Sequence, residues 1–200
     1  MYSYSKEFKE LIKTKENVVR LLKGSGVDAE DLKYWEEGRG FIAKTIDYEG
    51  SVLDVGCGNG FLLKSLQEWT EHTLTPYGID NKIHLIEECK KLFPKFSENF
   101  KPLNLYKKEF VFRWLYGLPK NYDFIYWNVW DNFHFRERGT KEMNHLLNSL
   151  NNNGKLILGF YDISDEAKKS KIDYLENEGY KVKTVKNPFG HEWLGIVKRN

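Results

Sequence analysis

Three glycines and two acids are the residues of this chain whose types and spacing could do chemistry. Gly56, Gly58 and Gly60 recur at alternate positions in Asp54-Val55-Gly56-Cys57-Gly58-Asn59-Gly60. Val52 to Val55 reads as a short buried strand, apolar apart from Asp54, and Phe61-Leu62-Leu63-Lys64-Ser65-Leu66 starts a helix at once. A strand, a glycine turn and a helix form the nucleotide-facing corner of a doubly wound sheet. Glycine suits the turn because positive φ and close ligand approach both exclude a Cβ. The second acid ends Tyr77-Gly78-Ile79-Asp80, which reads as a second strand, twenty residues beyond Gly60. A carboxylate there accepts hydrogen bonds from both hydroxyls of a ribose.

The spacing narrows the ligand. A dinucleotide turn has the pattern G-x-G-x-x-G, with a helix N-terminus facing the pyrophosphate. Here the glycines run G-x-G-x-G, and Phe61 stands where the third would be. Asp54, two residues before the first glycine, would repel a phosphate and attract a cation. S-adenosylmethionine (SAM) carries a sulfonium, an ammonium and no phosphate. On these residues the chain resembles the class I SAM-dependent methyltransferases. Their first motif, acid-x-Gly-x-Gly-x-Gly, matches Asp54 to Gly60 in full, and their second, the acid ending strand two, matches Asp80.

The elements that must position these groups follow from periodicity. Apolar residues at Phe8, Leu11, Ile12, Val18, Val19 and Leu22 recur as on a helix over Ser3 to Leu22, and Gly24-Ser25-Gly26 stops it. Asp28 is expected to cap a second helix reaching Trp35, and Phe41 to Ile46 reads as helical. Residues 1–50 thus form an N-terminal helical cap, too short to hold a core alone, on a SAM-binding domain of residues 51–200, the two making one structural domain. From Ser51 strands and helices alternate, which implies a parallel sheet covered on both faces. The strands expected are Val52 to Val55, Pro76 to Ile79, Phe100 to Leu105, Asp123 to Trp127, Lys155 to Phe160, Tyr180 to Val185 and Trp193 to Lys198. The helices between them are Gly60 to Trp69, Lys82 to Phe93, Glu137 to Leu150 and Asp165 to Glu178, with Asn151-Asn152-Asn153-Gly154 as a turn. The last two strands have no helix between them and must be antiparallel. The fold expected is α/β: a seven-stranded, mostly parallel sheet with helices on both faces, an antiparallel terminal hairpin and the cap. It is similar to the methyltransferase sheet over roughly residues 50–200.

The resemblance implies a cofactor, SAM, with S-adenosylhomocysteine as product, and places its site at the carboxyl ends of the strands. Gly56, Cys57, Gly58 and Gly60 would lie along the amino acid part through their backbone, and Asp54 would engage the ammonium. Asp80 would hold the ribose, with Asn81 and Lys82 beside the adenine. Where the family usually has an acid for adenine N6, this chain offers Asn104. Asn128, after strand four, would stand beside both cofactor and acceptor. The motif there is Asn128-Val129-Trp130 without prolines, which argues against methylation of adenine N6 or glutamine. Gly38-Arg39-Gly40-Phe41 is similar to turns that close over SAM in small-molecule methyltransferases, and Arg39 would pair with the methionine carboxylate. Tyr34 and Trp35 are placed over the same site. Trp127 and Trp130 have equal claims as core and as substrate lining.

Methyl transfer needs orientation above all, and a base only for an acceptor that arrives protonated. His134 is the candidate catalytic base, and His191, in the hairpin, a second. Asp131 and Asp162 follow strands four and five as possible binders of an amine or a metal. No metal is expected: the histidines have no paired ligand spacing and neither cysteine has a partner.

A net charge of +2 and basic residues interleaved with acids describe solvated helix faces, so a nucleic-acid partner is not expected. Two cysteines outside any C-x-x-C indicate a reducing compartment, and no apolar run approaches the roughly 18 residues of a membrane span. A cytoplasmic protein acting on a small molecule is the reading. Methylation of a protein amine, and SAM binding without catalysis, are the alternatives. A nicotinamide oxidoreductase is disfavoured by Asp54 and the missing third glycine.

Overall fold

The computed structural model describes residues 2–111, 113–129, 135 and 139–198. Seven strands form one sheet: β1 Gly50–Val55, β2 Leu74–Ile79, β3 Phe100–Lys101, β4 Tyr122–Val129, β5 Leu150–Phe160, β6 Val182–Lys186 and β7 Trp193–Lys198. Their order is β3-β2-β1-β4-β5-β7-β6. The pairs from β3 through β5 are parallel, and β7 is antiparallel to both β5 and β6. The chain reverses direction across the sheet at β1, so the crevice between β1 and β4 is the switch point where α/β sheets bind ligands.

Three helices precede β1: α1 Lys6–Leu11, α2 Lys15–Gly24 and α3 Leu32–Arg39. The sequence suggested one helix to Leu22, but Thr14 breaks it by accepting a bond from the Asn17 N–H and capping α2. Asp31, not Asp28, caps α3, accepting from the Tyr34 N–H at 2.8 Å. A 3-10 turn, Gly40–Thr45, leads into the sheet. Behind β1 and β2 run α4 Phe61–Trp69 and α5 Ile83–Leu92. A short α6, Lys108–Val111, follows β3, then α7 Thr140–Leu147 and α8 Asp165–Asn177. Among the described residues no helix is long and apolar enough to cross a membrane.

Two apolar clusters sandwich the sheet. One joins Phe8, Leu21, Leu22, Trp35 and Ile42 of the cap region to Val52, Phe61, Phe124, Tyr126 and Ile157. The other holds Leu53, Val55, Ile125, Trp127 and Val129 against Met143, Leu146, Ile172 and Leu175. Alternation along β1 and β4 therefore puts Asp54 on the face of Val52, and Asn128 on the face of Phe124 and Tyr126, which is the cap's face. Aromatic stacking holds the cap there. Phe61 lies between Phe8, at 5.9 Å, and Trp35, at 5.4 Å, and the Trp35 indole donates to the Ser65 hydroxyl.

Two strands differ from the sequence reading. β3 covers two residues rather than six, because beyond Lys101 the chain turns on itself through Leu103 N–H to Lys101 O. β5 begins at Leu150, not Lys155. Leu150 pairs with Tyr122 and Lys155 with Phe124, so residues 151–154 bulge out opposite Asp123. The asparagine-glycine run makes its detour as a bulge inside a strand. Asp123 fastens it, accepting from Asn151 Nδ2 at 2.7 Å while its other oxygen takes the Ser51 N–H and hydroxyl.

Candidate active site

The glycine turn is built by the end of β2. The Ile79 carbonyl accepts from the N–H groups of both Gly56 and Cys57, at 2.8 and 3.0 Å. Gly56 has φ +82°, and the position of a Cβ on it is open for 4 Å, leaving room for a ligand against the backbone. Gly58 has φ +55°, and a Cβ there would sit 2.5 Å from the Gly24 carbonyl. The cap is that close because Asn59 holds it. Its N–H donates to the Gly24 carbonyl, its Nδ2 to the Leu21 carbonyl, and its Oδ1 accepts from the Ser25 hydroxyl and the Phe61 N–H. Asn59 was not singled out by sequence. It occupies a variable position of the motif, and its one signal is an amide just before a helix start.

Asp80 is pre-set for a diol. One oxygen accepts from the Gly58 N–H at 3.1 Å and the other from the Lys82 N–H at 2.8 Å, which fixes the carboxylate and leaves a lone pair on each oxygen. Asn81 and Lys82 are exposed beside it. Asn104 follows β3 as expected, but its amide oxygen already accepts the Tyr106 N–H within its own turn. The Cys57 side chain points away from the cleft, its sulfur 3.9 Å from that of Cys89, so only its backbone faces a ligand. Gly78 makes space for that sulfur, which a Cβ would meet at 2.7 Å.

Asp54 is 3% exposed, and among the described residues no donor is hydrogen-bonded to its carboxylate. Burial, reinforced by the charge of Asp80, lifts its pKa from 3.8 to about 8. Asp54 pairs in register with Tyr126, and Asn128 lies two residues further along β4 on the same face. The Asn128 Oδ1 is buried and has no partner among the described residues. A buried acid and a buried amide oxygen, both wanting a donor and on the same face at the ends of adjacent strands, fit a ligand with a cationic end.

Arg39 reaches this face from α3. Its guanidinium lies 3.8 Å over the Tyr161 ring and 5.6 Å from that of Trp35. Glu192, from the β6–β7 turn, is 3.7 Å away, and both side chains are largely buried. The Tyr161 and Tyr126 hydroxyls bond at 2.7 Å, and burial raises the pKa of both phenols, so they remain donors. Sequence reasoning reached Arg39 but not Tyr126, Tyr161 or Glu192, which meet only through the sheet order.

Other expected residues fall elsewhere. Trp35 is core and Tyr34 exposed. Trp127 packs edge-on to Phe135 in the opposite cluster. The Asp162 carboxylate is taken by Lys171 at 2.8 and 2.9 Å. His191 is exposed in the β6–β7 turn, its carbonyl accepting from Lys168. His134, with Trp130, Asp131 and Asn132, lies outside the described residues. Among the described residues no three His, Cys, Asp or Glu side chains could share a metal ion.

A family model described as a methyltransferase domain matches residues 28–189, a span that includes the glycine turn, Asp80, Asn128 and Arg39. The chain belongs to the SAM-dependent methyltransferases. Solved structures share the fold at low identity. A SAM-dependent methyltransferase from Aquifex aeolicus is 20% identical, with TM-score 0.61, covering 90% of this chain and 97% of its own. The PH0226 protein of Pyrococcus horikoshii OT3 is 15% identical, with TM-score 0.61, covering 98% and 100%. The mitomycin 7-O-methyltransferase MmcR is 12% identical, with TM-score 0.62, covering 94% of this chain and 58% of its own. No curated protein matches the sequence. This methyltransferase uses SAM as cofactor, and the open backbone at Gly56 and the unpartnered Asp54 fit it.

Proposed function

We propose that this methyltransferase acts on a small-molecule acceptor held between the carboxyl ends of β4 and β5 and the cap. The observation that carries the reading is the buried, unpartnered Asn128 Oδ1, on the face that α3 and Arg39 cover. An acceptor presenting an N–H or O–H to that oxygen would be held with its nucleophile toward the cofactor. Orientation of this kind supplies much of the rate in a two-reactant displacement.

Bound in the cleft, SAM supplies an electrophilic methyl group on its sulfonium. The protein's own groups do the placing. Asp54, once ionised, faces the ammonium, and Gly56, Cys57, Gly58 and Gly60 offer backbone along the amino acid part. Asp80 accepts from the ribose hydroxyls, with Asn81, Lys82 and Asn104 at the adenine end. Arg39 donates to the carboxylate. Asn128 orients the acceptor, and His134 takes a proton from an acceptor that arrives protonated.

The test is a turnover screen that follows S-adenosylhomocysteine and the destination of a labelled methyl group. Acceptors are pooled small metabolites, mixed cellular protein and total RNA. Turnover with the metabolites supports the reading. Label found only in protein or only in RNA overturns it.

A further inference from the structure

We infer that Tyr161 is a positioning residue for the cofactor's carboxylate, acting through Arg39. This rests on the proposed role of Arg39 and adds what aims it. An arginine, with three methylenes between its backbone and its guanidinium, is a flexible anchor unless something fixes its plane. Here its guanidinium carbon lies 3.8 Å over the centre of the Tyr161 ring and 5.6 Å from that of Trp35. Among the described residues its one side-chain hydrogen bond goes to the Gly38 carbonyl at 3.1 Å, and Glu192 at 3.7 Å is beyond hydrogen-bond reach. The guanidinium is therefore held mainly by a face and a charge, and most of its five N–H donors are left for a ligand.

The ring that holds it is itself fixed. Tyr161 follows the end of β5, and its hydroxyl is bonded to that of Tyr126 at 2.7 Å. Tyr126 is the register partner of Asp54. The two phenols fit together because Gly159 has no side chain. A Cβ there would lie 2.6 Å from both the Tyr126 oxygen and the Tyr161 ring. From the other side, Asn187 Nδ2 donates to Glu192 at 2.7 Å and to the Glu37 carbonyl at 2.8 Å, tying the β6–β7 turn to α3. Thus two bonded phenols stand between the strand position of Asp54, which would face the ammonium, and Arg39, which would face the carboxylate.

The test compares calorimetric binding of SAM with that of decarboxylated SAM, which keeps the adenosine, sulfonium and amine. Tyr161→Met fills the volume without a flat face and should weaken SAM about tenfold while leaving the decarboxylated ligand unchanged. Tyr161→Phe keeps the face but loses the bond to Tyr126, and should weaken SAM less than Tyr161→Met does while leaving the decarboxylated ligand unchanged. In an Arg39→Ala background, Tyr161→Met should cost nothing more. Arg39→Lys, which keeps charge but not the plane, should match Tyr161→Met, and carries the test should the methionine variant not fold. The inference is overturned if Tyr161→Met weakens both ligands alike, if it still weakens SAM without Arg39, or if Arg39→Lys binds as the wild type. Arg39→Ala binding SAM normally would instead remove the carboxylate role of Arg39 itself.

Discussion

Lowering the pH should unload SAM from this protein, and Asp54 sets how steeply. The acid is buried with no donor on it among the described residues, and burial lifts its pKa to about 8. Opposite an ammonium it must be ionised, so binding below pH 8 expels a proton. Near pH 8 about half the free protein carries the charge and near pH 6 about 1%, while the ligand's amine goes from about half to almost fully charged, so affinity should be about twenty-five-fold weaker at pH 6. Above pH 8 the ligand's own amine, with an ordinary pKa of about 8, loses its charge, and affinity should turn over. The same shift has a stability consequence of opposite sign. A carboxylate with a raised folded pKa destabilises the free fold as pH climbs from its unfolded value near 4 through about 8. Asp54→Asn should therefore raise the melting temperature of the free protein at pH 8 while abolishing tight SAM binding. Calorimetry in two buffers of different ionisation heat reads the released proton directly. A flat affinity between pH 6 and pH 8, with no proton released, would refute the reasoning.

Three further outcomes are expected. Asn128→Ala should lower kcat/KM about tenfold without lowering the melting temperature, since it deletes a buried oxygen that has no partner among the described residues. Gly58→Ala should cost about 1–3 kcal/mol in urea unfolding and weaken SAM binding, because the new Cβ meets both a positive φ and the Gly24 carbonyl. Asp162→Ala should cost about 3–5 kcal/mol, because it leaves the buried Lys171 ammonium without that carboxylate, and the loss should appear in thermal unfolding rather than in SAM affinity.

What the sequence made legible was local. The glycine turn declares itself because its φ values exclude other residues. The strand-to-helix order from Val52 to Leu92 follows because periods of 2 and 3.6 are distinct there. Boundaries set by side-chain capping were less visible, since Thr14, Asp28 and Asp31 are all plausible caps and packing chooses among them. β3 was overestimated because Phe100, Leu103 and Leu105 read as a strand, although the chain leaves the sheet after Lys101 and buries the two leucines from a loop. In the site, Asp54 and Asp80 could be found because one precedes the last residue of β1 and the other follows β2 at once, as the motif has them. Tyr126, Tyr161 and Glu192 could not, because nothing in their neighbourhoods distinguishes them until β5 and β7 become neighbours.

The bond from Asn187 to the Glu37 carbonyl joins residues 150 positions apart. That span has a consequence for synthesis. On the ribosome, the glycine turn and both acids emerge long before the β6–β7 turn that braces Arg39. A nascent chain can therefore expose a cofactor crevice with one wall missing. SAM should therefore stabilise that chain less than one whose hairpin is in place, because a ligand stabilises a fold only through the form that binds it.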